Sequence, residues 1–167
     1  MAAFVSVFLW AGVASANLCA KPKEQEALNT RVLQTELMVA ALSCNNQPLY
    51  NAFVTKFKKQ LVDNGQSLRS FYERKHGAGG ATQLNAMVTR VANEASQVSN
   101  DQHIGFCYQA SILFSQALKT DPGDFQSLLD KPMLRGRHGI APCGETAQAE
   151  AQKPVAGFGA TVNRIFK

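Results

Sequence analysis

Helical periodicity runs through residues 23–119 and constrains the fold of this chain more than any other feature. Apolar residues recur there at spacings of three and four, the repeat that gives an α-helix one apolar side. In the first segment this repeat is carried by Leu28, Val32, Val39 and Leu42. No alternation of period two is long enough to predict a sheet. The pattern therefore predicts an all-α protein.

Short connectors divide this stretch into helical segments. The first segment ends at a turn signal in residues 45–48, and the second ends at a glycine-rich turn that begins at Gly77. Residues 100–101 separate the third segment from the fourth. Because helices joined by short connectors pack as antiparallel neighbours, we expect an antiparallel bundle of about four helices over residues 17–131. Gly65 lies inside the second segment and is a weak point at which the helix could bend or break.

The fourth segment carries a stripe at helical spacing that we expect to face the core. Its members are Ile104, Cys107, Tyr108, Ser111, Phe114 and Leu118. Aromatic residues from this segment and the second segment would meet in the interior. A cavity there would bind a small apolar ligand among Phe53, Phe57, Phe71, Tyr108 and Phe114. The competing interpretation is an ordinary filled core.

Four cysteines allow three pairings, and the predicted helices choose among them. Cys19 precedes the first helix and Cys44 ends it, so a helix of roughly 30 Å separates them. Disulfide-linked Cα atoms lie within about 7 Å of each other. Cys107 begins the fourth helix at the bundle end where Cys44 lies, and Cys143 follows the bundle at the other end. The predicted disulfides are therefore Cys44–Cys107 and Cys19–Cys143.

The N-terminal residues 1–16 have the form of a secretory signal peptide. Residues 4–13 are apolar, and residues 14–16, Ala-Ser-Ala, form the small-residue site that signal peptidase cleaves. The run is shorter than the about 20 apolar residues that a membrane span needs. We expect a mature chain that begins at Asn17, is periplasmic or secreted, and has no transmembrane span. The alternative is an apolar strand or helix of the folded domain.

Composition changes after Lys131, and residues 132–167 predict an irregular tail. Three prolines and five glycines fall within these residues. We expect the tail to be extended and tethered to the bundle only at Cys143. The last eleven residues regain a helical repeat, which would dock on the bundle or lie on a membrane surface. This repeat is formed by Phe158, Val162, Ile165 and Phe166.

The chain is basic, with a formal net charge of +5 that allows attraction to anionic surfaces. Arginine side chains bind phosphate and carboxylate groups in a forked geometry. The candidate groups for binding an anion or a partner are Lys131, Arg135, Arg137, His138, Arg164 and Lys167. The competing interpretation is a solvated linker. Aromatic residues of the second helix favour core packing over base stacking, so nucleic acid is not a predicted partner.

The sequence contains no motif from which we predict catalysis, a cofactor or a metal. The glycine-rich residues 77–82 lack the Gly-Lys-Ser/Thr ending of a phosphate loop. The cysteines lack the Cys-x-x-Cys spacing of zinc and haem sites. We therefore predict no cofactor and no metal. No resemblance to a family is specific enough to name.

These observations favour a protein that acts by binding. The first hypothesis is an envelope interaction or accessory protein, whose partner is another envelope protein or an anionic envelope surface. The second is a carrier of a small apolar ligand held between helices, and the third is an enzyme whose site is not recognisable. A filled core with an exposed apolar patch would favour the first, and an enclosed apolar pocket the second. A cleft with converging titratable groups would favour the third.

Overall fold

The structure, a computed structural model, describes residues 18–131, 134 and 136–144. The predicted signal peptide and the C-terminal helical repeat lie outside these residues. The helices are α1 (Pro22–Ser43), α2 (Gln47–Lys56), α3 (Lys58–His76), α4 (Gly80–Asp101), α5 (His103–Lys119) and the short α6 (Gln126–Leu129). The other elements are the strands β1 (Cys19–Ala20) and β2 (Ala141–Pro142) and the 3₁₀ turns Gly77–Gly79 and Pro122–Asp124. Within the described part of the chain, no helix has the length and apolar character needed to cross a membrane.

The central helix is α1, which contacts each of the other described helices. Pro22 lies in its first turn, and the Glu24 carboxylate accepts a hydrogen bond from the Lys21 backbone N–H at 2.9 Å. Its apolar residues are buried on several sides, including Leu28, Val32, Leu33 and Leu37. The other helices pack around it. The all-α bundle predicted from the helical periodicity is thus confirmed.

The second predicted helix is divided at Phe57, and the expectation of a break at Gly65 is wrong. α2 ends at Lys56, α3 begins at Lys58, and Gly65 lies inside α3. Glycine lowers helix stability by only about 1 kcal/mol, a local effect that tertiary packing overrides. α2 contacts α1 and α5, whereas α3 contacts α1 and α4. The break at Phe57 lets the two helices meet different neighbours while the Phe57 side chain stays buried.

Phenylalanine side chains from α2, α3 and α5, and from two positions between helices, fill the core. Phe53, Phe57, Phe71 and Phe114 have no exposed surface. The ring centroids of Phe53 and Phe57 are 5.4 Å apart, and those of Phe57 and Phe125 are 5.0 Å apart. These are ordinary distances for packed aromatic pairs. The aromatic residues of α2, α3 and α5 therefore contribute to a filled interior.

Two disulfides join the chain at opposite ends of α1. Cys44, directly after α1, is bonded to Cys107 in the second turn of α5, with Cα atoms 5.6 Å apart. Cys19, before α1, is bonded to Cys143, with Cα atoms 4.9 Å apart. Both pairs are those predicted from the length of the first helix. Asn45 then adopts a left-handed backbone conformation (φ 56°), which turns the chain from α1 into α2.

The chain after α6 returns to the bundle as a C-terminal strap, defined here as residues 134 and 136–144. Leu134 and Ile140 of the strap are buried in the hydrophobic core. The Gln25 side chain of α1 donates a hydrogen bond to the Ile140 carbonyl at 3.1 Å, and β2 pairs in parallel with β1. The structure differs here from the expected extended tail tethered only at Cys143. Burial of apolar strap residues provides the additional attachment.

Candidate functional site

The exposed side of α5 carries a row of large apolar side chains. Ile104, Tyr108 and Ile112 follow one another at intervals of four residues, so they lie along one side of the helix. Their exposed fractions are 84%, 62% and 37%. We call this row the α5 outer face. Scattered apolar residues are normal on protein surfaces, but a row on one helix is typical of an interaction site.

The core side of α5 differs from the stripe expected from the sequence. Its buried residues are Phe106, Ala110, Leu113, Phe114 and Ala117. Of the expected stripe, Phe114 is buried, but Ile104, Tyr108 and Ser111 are exposed. Two apolar rows therefore compete in this helix. Burying Phe106 and Leu113 together with Phe114 removes more apolar surface from water and leaves the Tyr108 hydroxyl solvated.

The α5 outer face is also uncharged. No Asp, Glu, Lys or Arg occurs in residues 104–118. The similarly long α3 carries seven such residues: Lys58, Lys59, Asp63, Arg69, Glu73, Arg74 and Lys75. An exposed helix face normally carries charged or polar groups. Absence of charge beside large apolar side chains is the composition of a protein interface core.

The Cys44–Cys107 disulfide adjoins the α5 outer face. Cys107 lies between Ile104 and Tyr108 in sequence and is half-buried, as is Cys44. The His103 ring approaches the Cys107 Sγ atom, with Nε2 at 3.8 Å and Nδ1 at 4.0 Å. Leu42, two residues before Cys44, is 67% exposed. This disulfide thus joins two half-buried residues and has an imidazole beside one sulfur.

Four of the five aromatic residues predicted for a ligand pocket lie together in the core, but they line neither described cleft. Phe53, Phe57, Phe71 and Phe114 are buried, whereas Tyr108 lies on the α5 outer face. Two open clefts, of about 680 and 650 Å³, lie near the start of α1. Both clefts are lined by Lys23, Glu26 and Gln60, and neither is lined by any of the predicted aromatics. The structure therefore gives no support to an aromatic ligand pocket in the described residues.

The six candidate anion-binding residues do not form one surface cluster in the described structure. Lys131 is half-buried, and Arg137 and His138 are buried in the strap. Arg135, Arg164 and Lys167 lie outside the described residues. Their role in binding an anion therefore stays a prediction. For Arg137 and His138, burial leaves little surface for an external anion.

Arg137 is instead part of a charge cluster that attaches the strap to α1 and α4. Its Nη2 atom lies 2.9 Å from Oε1 of Glu36 and 3.5 Å from Oε2 of Glu94. Arg90 binds Oε1 of Glu94 at 2.9 Å and donates a hydrogen bond to the Arg137 carbonyl at 3.0 Å. The side chains of Arg137 and Glu36 are almost fully buried. Removing one member of such a pair is destabilising because it leaves the other charge buried and unpaired.

Burial changes the protonation of two residues at this cluster. Burial raises the pKa of Glu36 to about 7, although the Arg137 guanidinium acts in the opposite direction. Burial, assisted by the positive charge of Arg90, lowers the pKa of His138 to about 4. The Ile140 backbone N–H donates to Nδ1 of His138 at 3.1 Å, which requires that nitrogen to be unprotonated. His138 is therefore neutral near pH 7.

The cluster contains residues that the sequence analysis missed, namely Glu36, Arg90 and Glu94. Glu36 did carry a signal, because it interrupts the apolar residues of α1 between Leu33 and Val39. A charged residue among core positions implies a buried partner. The sequence offered no local indication that this partner would be Arg137 in the tail.

Within the described part of the chain, no group of three or more His, Cys, Asp or Glu residues could hold a metal ion. Comparison with protein-family models, curated proteins and solved structures gives no match to this chain. The function of this chain is therefore inferred from its own surfaces and contacts. Of these, the α5 outer face is the feature that the fold leaves without an internal role.

Proposed function

We propose that this protein is exported and acts by binding another envelope protein through the α5 outer face. The observation that carries this proposal is the exposure of Ile104, Tyr108 and Ile112 on an uncharged helix side. Apolar surface removed from water contributes about 25 cal/mol per Å² to association, before the costs of ordering. A partner that covers this row gains that contribution without desolvating a charge on this helix side.

Export is supported by two independent features. Residues 4–16 have the order of a signal peptide, an apolar run followed by Ala-Ser-Ala. The chain also forms two disulfides and leaves no free cysteine in the described residues. Disulfides persist in oxidising compartments such as the periplasm or the cell exterior. Both features favour a location in the periplasm or outside the cell.

The partner surface that fits best is an apolar, uncharged helix side. Ile104, Tyr108 and Ile112 form a straight row on α5, the arrangement that packs into the groove between rows of a second helix. Tyr108 supplies a large ring and a hydroxyl that can bind a polar group at the rim. A charged surface would lose hydration at this row and gain no opposite charge. We therefore commit to an apolar helical segment of a different protein.

Site-specific photo-crosslinking in the cell of origin tests this proposal. A benzophenone amino acid is placed at position 108, and a matched control is placed at Val62, an exposed apolar residue of α3. Position 108 should cross-link to one protein, and position 62 should not. The same preparation tests export, because the intact mass of the processed chain should begin at Asn17. Cross-links only to lipid, only to a second copy, or equally from both positions would contradict the proposal.

The partner identified in this way is then purified and its affinity measured by calorimetry. The double substitution Ile104→Ser and Tyr108→Ser should weaken binding by at least about tenfold, since apolar anchors dominate interface energies. Val62→Ser is the control and should leave affinity unchanged. Thermal melting of each variant checks the fold, which these exposed side chains do not support. Unchanged affinity in the double variant would remove the α5 outer face as the binding surface.

A further inference from the structure

The Cys44–Cys107 disulfide has an environment suited to exchange with an external thiol. Both cysteines are half-buried and pack against the hydrophobic core. The neighbouring Ile104 and Leu42 are exposed, which leaves the surroundings open to a second polypeptide. His103 lies next to one of the two sulfurs, with Nε2 3.8 Å from Cys107 Sγ. Accessibility and an adjacent imidazole are two features of reactive cysteine sites.

The two sulfurs of this bond are not equivalent. An imidazole N–H of His103 can donate to a thiolate at Cys107, which stabilises that thiolate. Cys44 directly follows the 22-residue helix α1, whose C-terminal carbonyls disfavour an added negative charge. In thiol–disulfide exchange, the sulfur that better accommodates negative charge leaves faster. Cys107 is therefore the better leaving group, and Cys44 is the sulfur that an incoming thiolate attacks.

We propose that Cys44–Cys107 is an exchange site for a cysteine thiol in an apolar segment of another polypeptide. The incoming thiolate sulfur forms a bond to Cys44 Sγ as the Cys44–Cys107 bond breaks, and Cys107 leaves as a thiolate beside His103. The chain is then joined to the other polypeptide by a mixed disulfide. Return attack by Cys107 on Cys44 restores the original bond and releases the incoming thiol. The identity of the protein that carries the thiol rests on the proposed function, whereas the exchange chemistry does not.

The second disulfide of the chain provides an internal comparison. Cys19–Cys143 lies at the β1–β2 pairing, where the Cys143 N–H donates to the Ala20 carbonyl at 2.9 Å. Cys19 and Cys143 are half-buried, as are Cys44 and Cys107, so exposure alone does not separate the two bonds. The difference is the His103 ring beside the Cys107 Sγ atom. An incoming thiol should therefore discriminate between the two bonds of the same folded molecule.

The test uses the full exported chain and a synthetic peptide, acetyl-Leu-Cys-Leu-amide, as the thiol. The reaction is stopped by acid, free thiols are alkylated, and mass spectrometry locates each mixed disulfide. We expect the adduct on Cys44, formed at least about tenfold faster than any adduct on Cys19 or Cys143. Circular dichroism during the reaction should show that helix content is retained. Equal rates at the two disulfides, or reaction only as the helices unfold, would overturn the proposal.

Substitution of His103 separates its effect on the leaving sulfur from an effect on folding. His103→Gln should slow adduct formation at Cys44 several-fold and leave the rate at Cys19–Cys143 and the melting temperature unchanged. His76→Gln, a substitution of an exposed histidine on α3, is the matched control and should react like the unaltered chain. An unaffected rate in His103→Gln, or an adduct on Cys107 instead of Cys44, would contradict the assigned roles. If the exchange fails while position 108 still cross-links to one protein, the exchange proposal is wrong and the proposed function is retained.

Discussion

Burial acts on Glu36 and His138 with opposite consequences for stability in acid. The folded-state pKa of Glu36 is about 7, above its usual 4.5, so the folded protein binds this proton more tightly than the unfolded chain. Stability from Glu36 is therefore gained as the pH falls from about 7 to 4.5. The folded-state pKa of His138 is about 4, below its usual 6.5. Stability from His138 is present above pH 6.5 and lost as the pH falls towards 4.

Because these two contributions are opposite, their sum should change the free energy of unfolding little between pH 6.5 and 4.5. Glu36→Gln removes the stability that Glu36 contributes on acidification. The free energy of unfolding of this variant should therefore decrease by about 3 kcal/mol as the pH is lowered from 6.5 to 4.5. His138→Asn should produce the opposite slope. Urea unfolding at a series of pH values measures both.

The double variant of Glu36→Gln and His138→Asn is the control for this measurement. With both titrations removed, the slope should return to that of the unaltered chain, whatever the absolute stability. A Glu36→Gln slope that matches the unaltered chain would show that the buried carboxyl does not titrate in this range.

At the scale of elements, the turn between α3 and α4 depends on a close backbone approach. A Cβ atom at Gly80 would lie 2.8 Å from backbone atoms of Tyr72 and Glu73. The neighbouring Gly79 has no atom within 4 Å of the same position and has an ordinary φ of −81°. Two adjacent glycines thus differ in the space around them.

This difference predicts unequal effects of the same substitution. Gly80→Ala should lower the free energy of unfolding by about 1–3 kcal/mol, because backbone atoms must move apart. Gly79→Ala should be neutral or slightly stabilising, since alanine restricts the unfolded chain. Urea unfolding of the two variants at one pH makes the comparison. Equal effects would mean that the α3–α4 approach is less close than described.

The elements were predictable where the determining signal is local. The repeat of Leu28 and Val32 lies within one helix and predicts that helix directly. The break at Phe57 was not predictable, because it depends on contacts of α2 with α5, far apart in sequence. The α5 outer face was predictable only in part. Its lack of charge can be read from the sequence, but its exposure depends on which of the two apolar rows of α5 packs against the core. The pairing of Glu36 with Arg137 likewise has no local signal.

At the scale of the whole molecule, the strap is part of the hydrophobic core. Leu134 is fully buried, although the composition predicts that the bundle ends at Lys131. Leu134→Ala should therefore lower the free energy of unfolding by about 2–5 kcal/mol, as for other buried leucines. Leu42→Ala, at an exposed leucine, should change it by no more than about 0.5 kcal/mol. Chemical denaturation checks both, and a small effect at Leu134 would argue for a separate tail.

The Cys19–Cys143 bond also determines how the molecule would respond to mechanical tension. The bond joins the chain just inside residues 18 and 144, where the described part begins and ends. A pull applied between these two points is transmitted through a single covalent bridge and bypasses every helix in between. The bundle therefore bears no share of that force while the bridge is intact. Tension between the start of the mature chain and the residues after Cys143 would therefore leave the surface that α5 presents folded.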